Sequence, residues 1–160
     1  MFRALATLAA CALFTAPVAA DDKFVRIVNV ESGKVLDVND DSKEEASARA
    51  VLAKLEDDNK AQQWKLEKDG THLKLVNRKS GKVLDVNDDS KEEGGDIIIW
   101  DDKTEGTDNQ RWAWVGDGKE RQIKSKSSGL VLDVDGEGQL IQKKADEKSK
   151  KQLWRVEEVK

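Results

Sequence analysis

Three aspartates recur at one interval: Asp37, Asp85 and Asp133 stand 48 residues apart, each within a Val-Leu-Asp-Val run. An ionised carboxylate can accept protons from hydroxyls or amides, hold a cation, or share acid–base work with a second carboxylate. Two of the three open stretches with oxygen donors at alternating positions, Asp85-Val86-Asn87-Asp88-Asp89 and Asp133-Val134-Asp135-Gly136-Glu137-Gly138. Neither continues as a calcium loop of the EF-hand kind. Ser90 stands where the sharp turn needs glycine, and Lys144 where a glutamate should close the shell. Asp-rich turns of this sort are expected to be solvated, with no metal or other cofactor. Nucleophilic chemistry is poorly provided for. The chain has one His (His72), one Cys (Cys11) and no Tyr, so it holds neither a His pair nor a sulfur nucleophile outside its first twenty residues. Carboxylates are abundant, but they are spread over a charged surface rather than gathered. No enzyme is expected.

These side chains need a scaffold, and the scaffold begins after a leader. Met1-Phe2-Arg3, the apolar run Ala4–Phe14 and the small residues Pro17-Val18-Ala19-Ala20 follow the order of a secretory signal peptide, too short to span a bilayer. Cleavage after Ala20 leaves residues 21–160 as one domain, secreted or periplasmic, with no membrane attachment after processing. Leu8-Ala9-Ala10-Cys11 is also compatible with a lipoprotein cleavage box, which would leave Ala12–Ala20 on the mature protein. Loss of Arg3 leaves 27 basic against 32 acidic side chains, a net charge of −5. Lys alternates with Asp and Glu throughout, so there is no basic stripe for nucleic acid. The only Cys leaves with the leader, and the core must suffice without disulfides.

The remaining 140 residues are a repeat. Ser32–Glu45 recurs letter for letter as Ser80–Glu93, and Ser128-Gly129-Leu130-Val131-Leu132-Asp133-Val134 is a third, looser copy. A second marker travels with the first: Gln62-Gln63-Trp64, Gln110-Arg111-Trp112 and Gln152-Leu153-Trp154. One supersecondary unit used three times follows, over about 24–70, 71–118 and 119–160. Each copy reads as short β-strands between turns: Val25–Asn29, Leu73–Asn77 and the stretch around Ile123; Val83–Val86; Ile97–Trp100; Arg111–Val115. Four strands in three copies make twelve. Ser42–Asp57 dissents, because a capping-box pair (Ser42 and Glu45) leads into an Ala-, Leu- and Lys-rich run of good helix propensity. Yet Asp37 to Gln62 equals Asp85 to Gln110, so the two copies should fold alike and Ala50–Lys54 should be a strand.

Three Gln-x-Trp signatures, each trailing a Gly-x-Val-Leu-Asp-Val strand, resemble the ricin-type β-trefoil lectins over essentially all of 24–160. The resemblance implies an all-β trefoil of three four-strand repeats, with Trp64, Trp112 and Trp154 packed around the pseudo-threefold axis. It also implies a shallow sugar pocket within a repeat. There the Asp takes bonds from adjacent hydroxyls, an aromatic stacks on the pyranose, an Asn adds amide contacts and the Gln braces the Asp. The chain departs from the family at Val35, Val83 and Val131, where members often carry a disulfide-forming Cys.

Tested copy by copy, only the second repeat holds the set: Asp85, Ile98, Trp100, Asn109 and Gln110. The first has Leu52 and Ala61 in the aromatic and Asn places. The third has Lys143 or Gln142, and Lys151. Strand alternation puts Ile97 and Ile99 on one face and Ile98 and Trp100 on the other; whichever pair turns inward decides whether Trp100 is core or platform. The three aspartates persist where the rest of the site does not, which suits a folding role as well as a ligand role. A carbohydrate-binding module with one site is the leading expectation. A sugar-blind trefoil that contacts a separate protein is the alternative.

Overall fold

In the computed structural model, residues 23–39 and 47–159 are described. The leader, Cys11 and the Ser42–Glu45 box lie outside them. The described residues form twelve strands and four short 3₁₀ turns. The first repeat contributes β1 (Val25–Asn29), β2 (Val35–Val38), β3 (Ala48–Ala53) and β4 (Trp64–Asp69). The second contributes β5 (His72–Asn77), β6 (Val83–Val86), β7 (Ile97–Trp100) and β8 (Trp112–Val115). The third contributes β9 (Gln122–Ser125), β10 (Val131–Val134), β11 (Leu140–Lys143) and β12 (Trp154–Glu158). Within the helix-prone stretch, Ala48–Ala53 is a strand. Its backbone pairs with β2 along Val35–Ala53 to Val38–Ala50 and with β7 at Ala48–Ile99, and the pairing overrides local propensity. His72 opens β5 and is half-buried.

The pairings β1–β4, β4–β5, β5–β8, β8–β9 and β1–β12 run around a ring that the Arg121–Trp154 bridge closes, leaving little free strand edge. Hairpins β2–β3, β6–β7 and β10–β11 touch one another through Ala48–Ile99, Asp96–Ile141 and Val51–Gln139. The core is layered by threes. Ile27, Leu75 and Ile123 come from the first strand of each copy, and Leu36, Leu84 and Leu132 from the second. Ala50, Ile97 and Leu140 come from the third, and Trp64, Trp112 and Trp154 from the fourth. All three of these tryptophans are fully buried. Each donates its indole N–H to the carbonyl of the motif leucine in its own copy: Trp64 to Leu36 at 3.1 Å, Trp112 to Leu84 at 3.0 Å and Trp154 to Leu132 at 3.3 Å. The two sequence markers are thus the two ends of one bond, which satisfies a donor that burial would otherwise penalise.

The copies differ most between their second and third strands. In the second repeat this connection leans on the third, where Gly94 donates to the carbonyl of Gln142 at 2.8 Å and Gln142 donates to that of Gly95 at 3.0 Å. A Cβ on Gly95 would stand 2.9 Å from Nε2 of Gln142, which is why a glycine is needed at that approach. Gln142 is fully buried there, giving Nε2 to the carbonyls of Ser90 and Glu92 and taking the Ser128 hydroxyl proton on Oε1.

Candidate functional site

Asp85 sits on β6, opposite Ile98 on β7, and Val83 sits opposite Trp100. Residues two apart on a strand share a face, so Ile98 and Trp100 lie on the Asp85 side of the hairpin. Ile97 and Ile99 point into the core. Ile98 is nearly buried, and Trp100 turns outward, half-buried. Asn109 and Gln110 come from the 3₁₀ turn Thr107–Gln110, which Gly106 leads into at φ +58°.

All five expected residues are brought together, in two layers. Asp85 is 2% exposed and held from behind. Gln110 donates Nε2 to its Oδ2 at 2.7 Å and Asn109 donates Nδ2 to its Oδ1 at 2.7 Å. Gln110 also reaches the carbonyl of Asp101 at 2.9 Å, and Asn109 that of Val86 at 3.0 Å, so both amide groups have their protons engaged. Neither residue lines the pocket in front of Asp85. That pocket, about 240 Å³, is lined by Asp85, Asn87, Asp88, Asp89, Ile98, Trp100 and Lys103.

Lys103 escaped the sequence reading, although it lies three residues beyond Trp100. Its backbone N–H donates to Oε1 of Gln110 at 3.0 Å, which pins the loop. Its ammonium lies 3.2 Å from Oδ2 of Asp85 and 3.3 Å from Oδ1 of Asn109. No interval in the sequence marked it, because the loop after Trp100 brings it to Asp85 only in the folded chain. Burial pushes the Asp85 carboxyl above its usual range, against the opposing bonds from Gln110 and Lys103. At the rim, the hydrogen bond from Lys91 holds Asp89 below its usual range.

The other copies keep the brace and lose the pocket chemistry. Gln62 donates to Asp37 at 2.8 Å and Gln152 to Asp133 at 2.9 Å, while the second carboxylate oxygen takes the amide of the next residue, Val38 or Val134. The Asp–Gln pair is therefore a folding element in all three repeats. Only Asp85 has its second oxygen drawn to a side chain. Strand register also corrects the position matched to Trp100. Val35 pairs with Ala53 and Val131 with Lys143, so Ala53, not Leu52, holds the aromatic place in the first copy, and Lys143, not Gln142, holds it in the third. Asp37 pairs 14 residues ahead with Val51, and Asp85 only 13 ahead with Ile98. A one-residue deletion before the Gln restores the constant interval, which hid the shift.

A pocket with one carboxylate wall, one indole wall and an ammonium can take a ligand that offers both hydroxyls and C–H surface. The comparisons with known proteins agree with this architecture. A family model described as ricin-type beta-trefoil lectin domain-like matches residues 10–100. The chain belongs to this ricin-type lectin-like family. Among solved structures, this trefoil is similar to the designed threefold-symmetric protein ThreeFoil, at 31% identity and a TM-score of 0.74 over 83% of this chain and 96% of that one. An exo-β-1,3-galactanase from Clostridium thermocellum is 36% identical with a TM-score of 0.75, over 87% of this trefoil but only 31% of the galactanase. A Polyporus squamosus lectin shares the fold at 19% identity and a TM-score of 0.73, over 84% of this chain and 48% of the lectin. The ricin-type chain therefore spans about a third of the galactanase and half of the lectin. No curated protein sequence matches it.

Proposed function

We propose that the chain is an exported, non-catalytic carbohydrate-binding module with one sugar site, in the second repeat. The observation that carries this reading is the pairing, in that copy alone, of the braced motif aspartate with an outward tryptophan in one pocket. Asp85 accepts from two neighbouring hydroxyls, Lys103 donates to one of them, and Trp100 with Ile98 covers the C–H face. Asn109 and Gln110 hold the carboxylate in place. One shallow site implies a Kd on the order of 0.1–10 mM. Useful retention then needs several modules on one surface. The likeness to a galactanase makes β-1,3-linked galactose oligomers the first ligands to test. Titrating isotope-labelled protein with them should shift the Trp100 indole N–H and the amides of 85–89 and 98–103. The hairpins bearing Asp37 and Asp133 should stay unmoved. Shifts centred elsewhere, or none with any neutral oligosaccharide, overturn the reading.

Acidity should separate binding from folding. The folded Asp85 carboxyl titrates above its unfolded value, so the stability linked to it is greatest when it is protonated and is lost as pH rises through the folded value. Protonation, however, removes a hydroxyl acceptor. Sugar retention should fall, as pH is lowered, above the ordinary aspartate range, and Asp85 itself should cause no loss of melting temperature there. Binding and melting curves that decline together would contradict this.

The second reading, a sugar-blind trefoil that contacts a separate protein, draws on the loss of the aromatic and Asn places in two copies. A partner retained equally by the wild type and by Asp85→Ala in excess sugar would favour it.

A further inference from the structure

The pocket wall facing Trp100 is the 3₁₀ turn Asn87–Asp89, and its backbone is unusual. Asp88 and Asp89 take φ of +53° and +52°, and they are the only non-glycine residues with positive φ among those described. Glycine adopts that region without cost, and Asp and Asn are the side chains that enter it most readily. Two carboxylates are thus held at the rim on a backbone where glycine would be less strained. Their charges are unequally compensated. Asp85 has the ammonium of Lys103 at 3.2 Å, and Asp89 has that of Lys91 at 2.7 Å. Asp88, exposed and lining the same pocket, has no ion-pair partner among the described residues. Lys103 offers little attraction to an anion, because the Asp85 carboxylate already offsets its charge.

We propose that this wall makes the second-repeat site selective for uncharged sugars over anionic ones, and that Asp88 is the residue imposing the selectivity. The inference rests on the sugar-binding reading of the pocket and names the ligand class. A neutral pyranose meets Asp88 as one more hydroxyl acceptor. A uronate or sulfate brings a second negative charge within a few ångströms of it, where repulsion at the effective dielectric of a partly solvated pocket amounts to about fivefold to tenfold in affinity. Salt should weaken that discrimination, because the pocket is open to solvent.

The test is a matched panel of neutral oligosaccharides and their uronate or sulfated counterparts, screened at low and high ionic strength with wild type and Asp88→Asn. Asparagine keeps the left-handed turn accessible and removes the charge. Wild type should retain neutral members about fivefold to tenfold better at low salt. Asp88→Asn should bring the ratio of acidic to neutral retention to near parity, even where the weaker amide acceptor lowers neutral binding itself, and high salt should narrow the wild-type gap. Equal wild-type retention of both classes, or a preference that Asp88→Asn and salt leave intact, overturns the selectivity and leaves a sugar site in place. No retention of any glycan overturns the sugar site and the selectivity together.

Discussion

Trp112→Ala should lower the unfolding free energy by roughly 3–5 kcal/mol, the largest effect of any single substitution considered for this trefoil. Trp112 is fully buried and packs against the motif leucine and the isoleucines that the threefold repeat brings to the axis. Truncation removes the whole indole from a layer that symmetry also fills with Trp64 and Trp154, so neighbours have little freedom to close the cavity. It also strands the carbonyl of Leu84, which takes the indole proton at 3.0 Å. Against a total stability of about 5–15 kcal/mol for a domain of this size, most of the margin is at stake. Trp112→Phe separates the contributions: it retains much of the volume, loses the N–H, and should cost about 1–3 kcal/mol. Urea denaturation followed by circular dichroism, which does not depend on the removed fluorophore, reads both. A loss under about 1.5 kcal/mol in Trp112→Ala would mean the axial core can collapse around the gap.

Trp100→Ala should do the reverse, weakening sugar binding about 30-fold with little change in stability. A Kd of about 0.1–10 mM corresponds to roughly 3–5 kcal/mol in all. Loss of the indole wall, at about 2 kcal/mol of apolar contact and stacking, weakens binding some 30-fold. The indole is half-buried and outside the central core, so the unfolding free energy should change by only about 1 kcal/mol. Asp85→Ala cannot make this separation. It takes the acceptor from Gln110, Asn109 and Lys103 together, so stability and binding fall at once. Calorimetry on neutral oligosaccharides, with a urea melt of each variant, distinguishes the two. Sugar affinity unchanged in Trp100→Ala would remove the indole from the site.

The repeat carried most of the fold. Recurrence of Val-Leu-Asp-Val and Gln-x-Trp at fixed intervals is the linear trace of bonds that close within each copy, from Gln to Asp and from Trp to the motif leucine carbonyl. That is why the twelve strands, the buried tryptophans and a strand at Ala50–Lys54, found at Ala48–Ala53, were legible without coordinates. The last needed the repeat, because taken alone its residues favour a helix. The five candidate residues could be named from the second repeat alone, and the structure gathers them around Asp85.

Tertiary structure decided what intervals cannot encode. Side chains alternate with a period of two along a strand, so a one-residue change in a connection moves every later side chain to the opposite face, even when a compensating deletion restores the count. That is how Leu52 came to be matched with Trp100 although Ala53 faces its place. Which of Ile97 and Ile98 turned inward depended on the axial core, made by all three copies at once. The placement of Lys103 over Asp85, the retreat of Asn109 and Gln110 behind the carboxylate, and the wall of Asp88 and Asp89 all belong to loops. Loop backbones have no periodicity to read, and their side chains meet only after the hairpins have packed. The sequence by itself therefore determined the trefoil, its core and the repeat that holds the candidate residues; packing decided which faces and which charges their pocket presents.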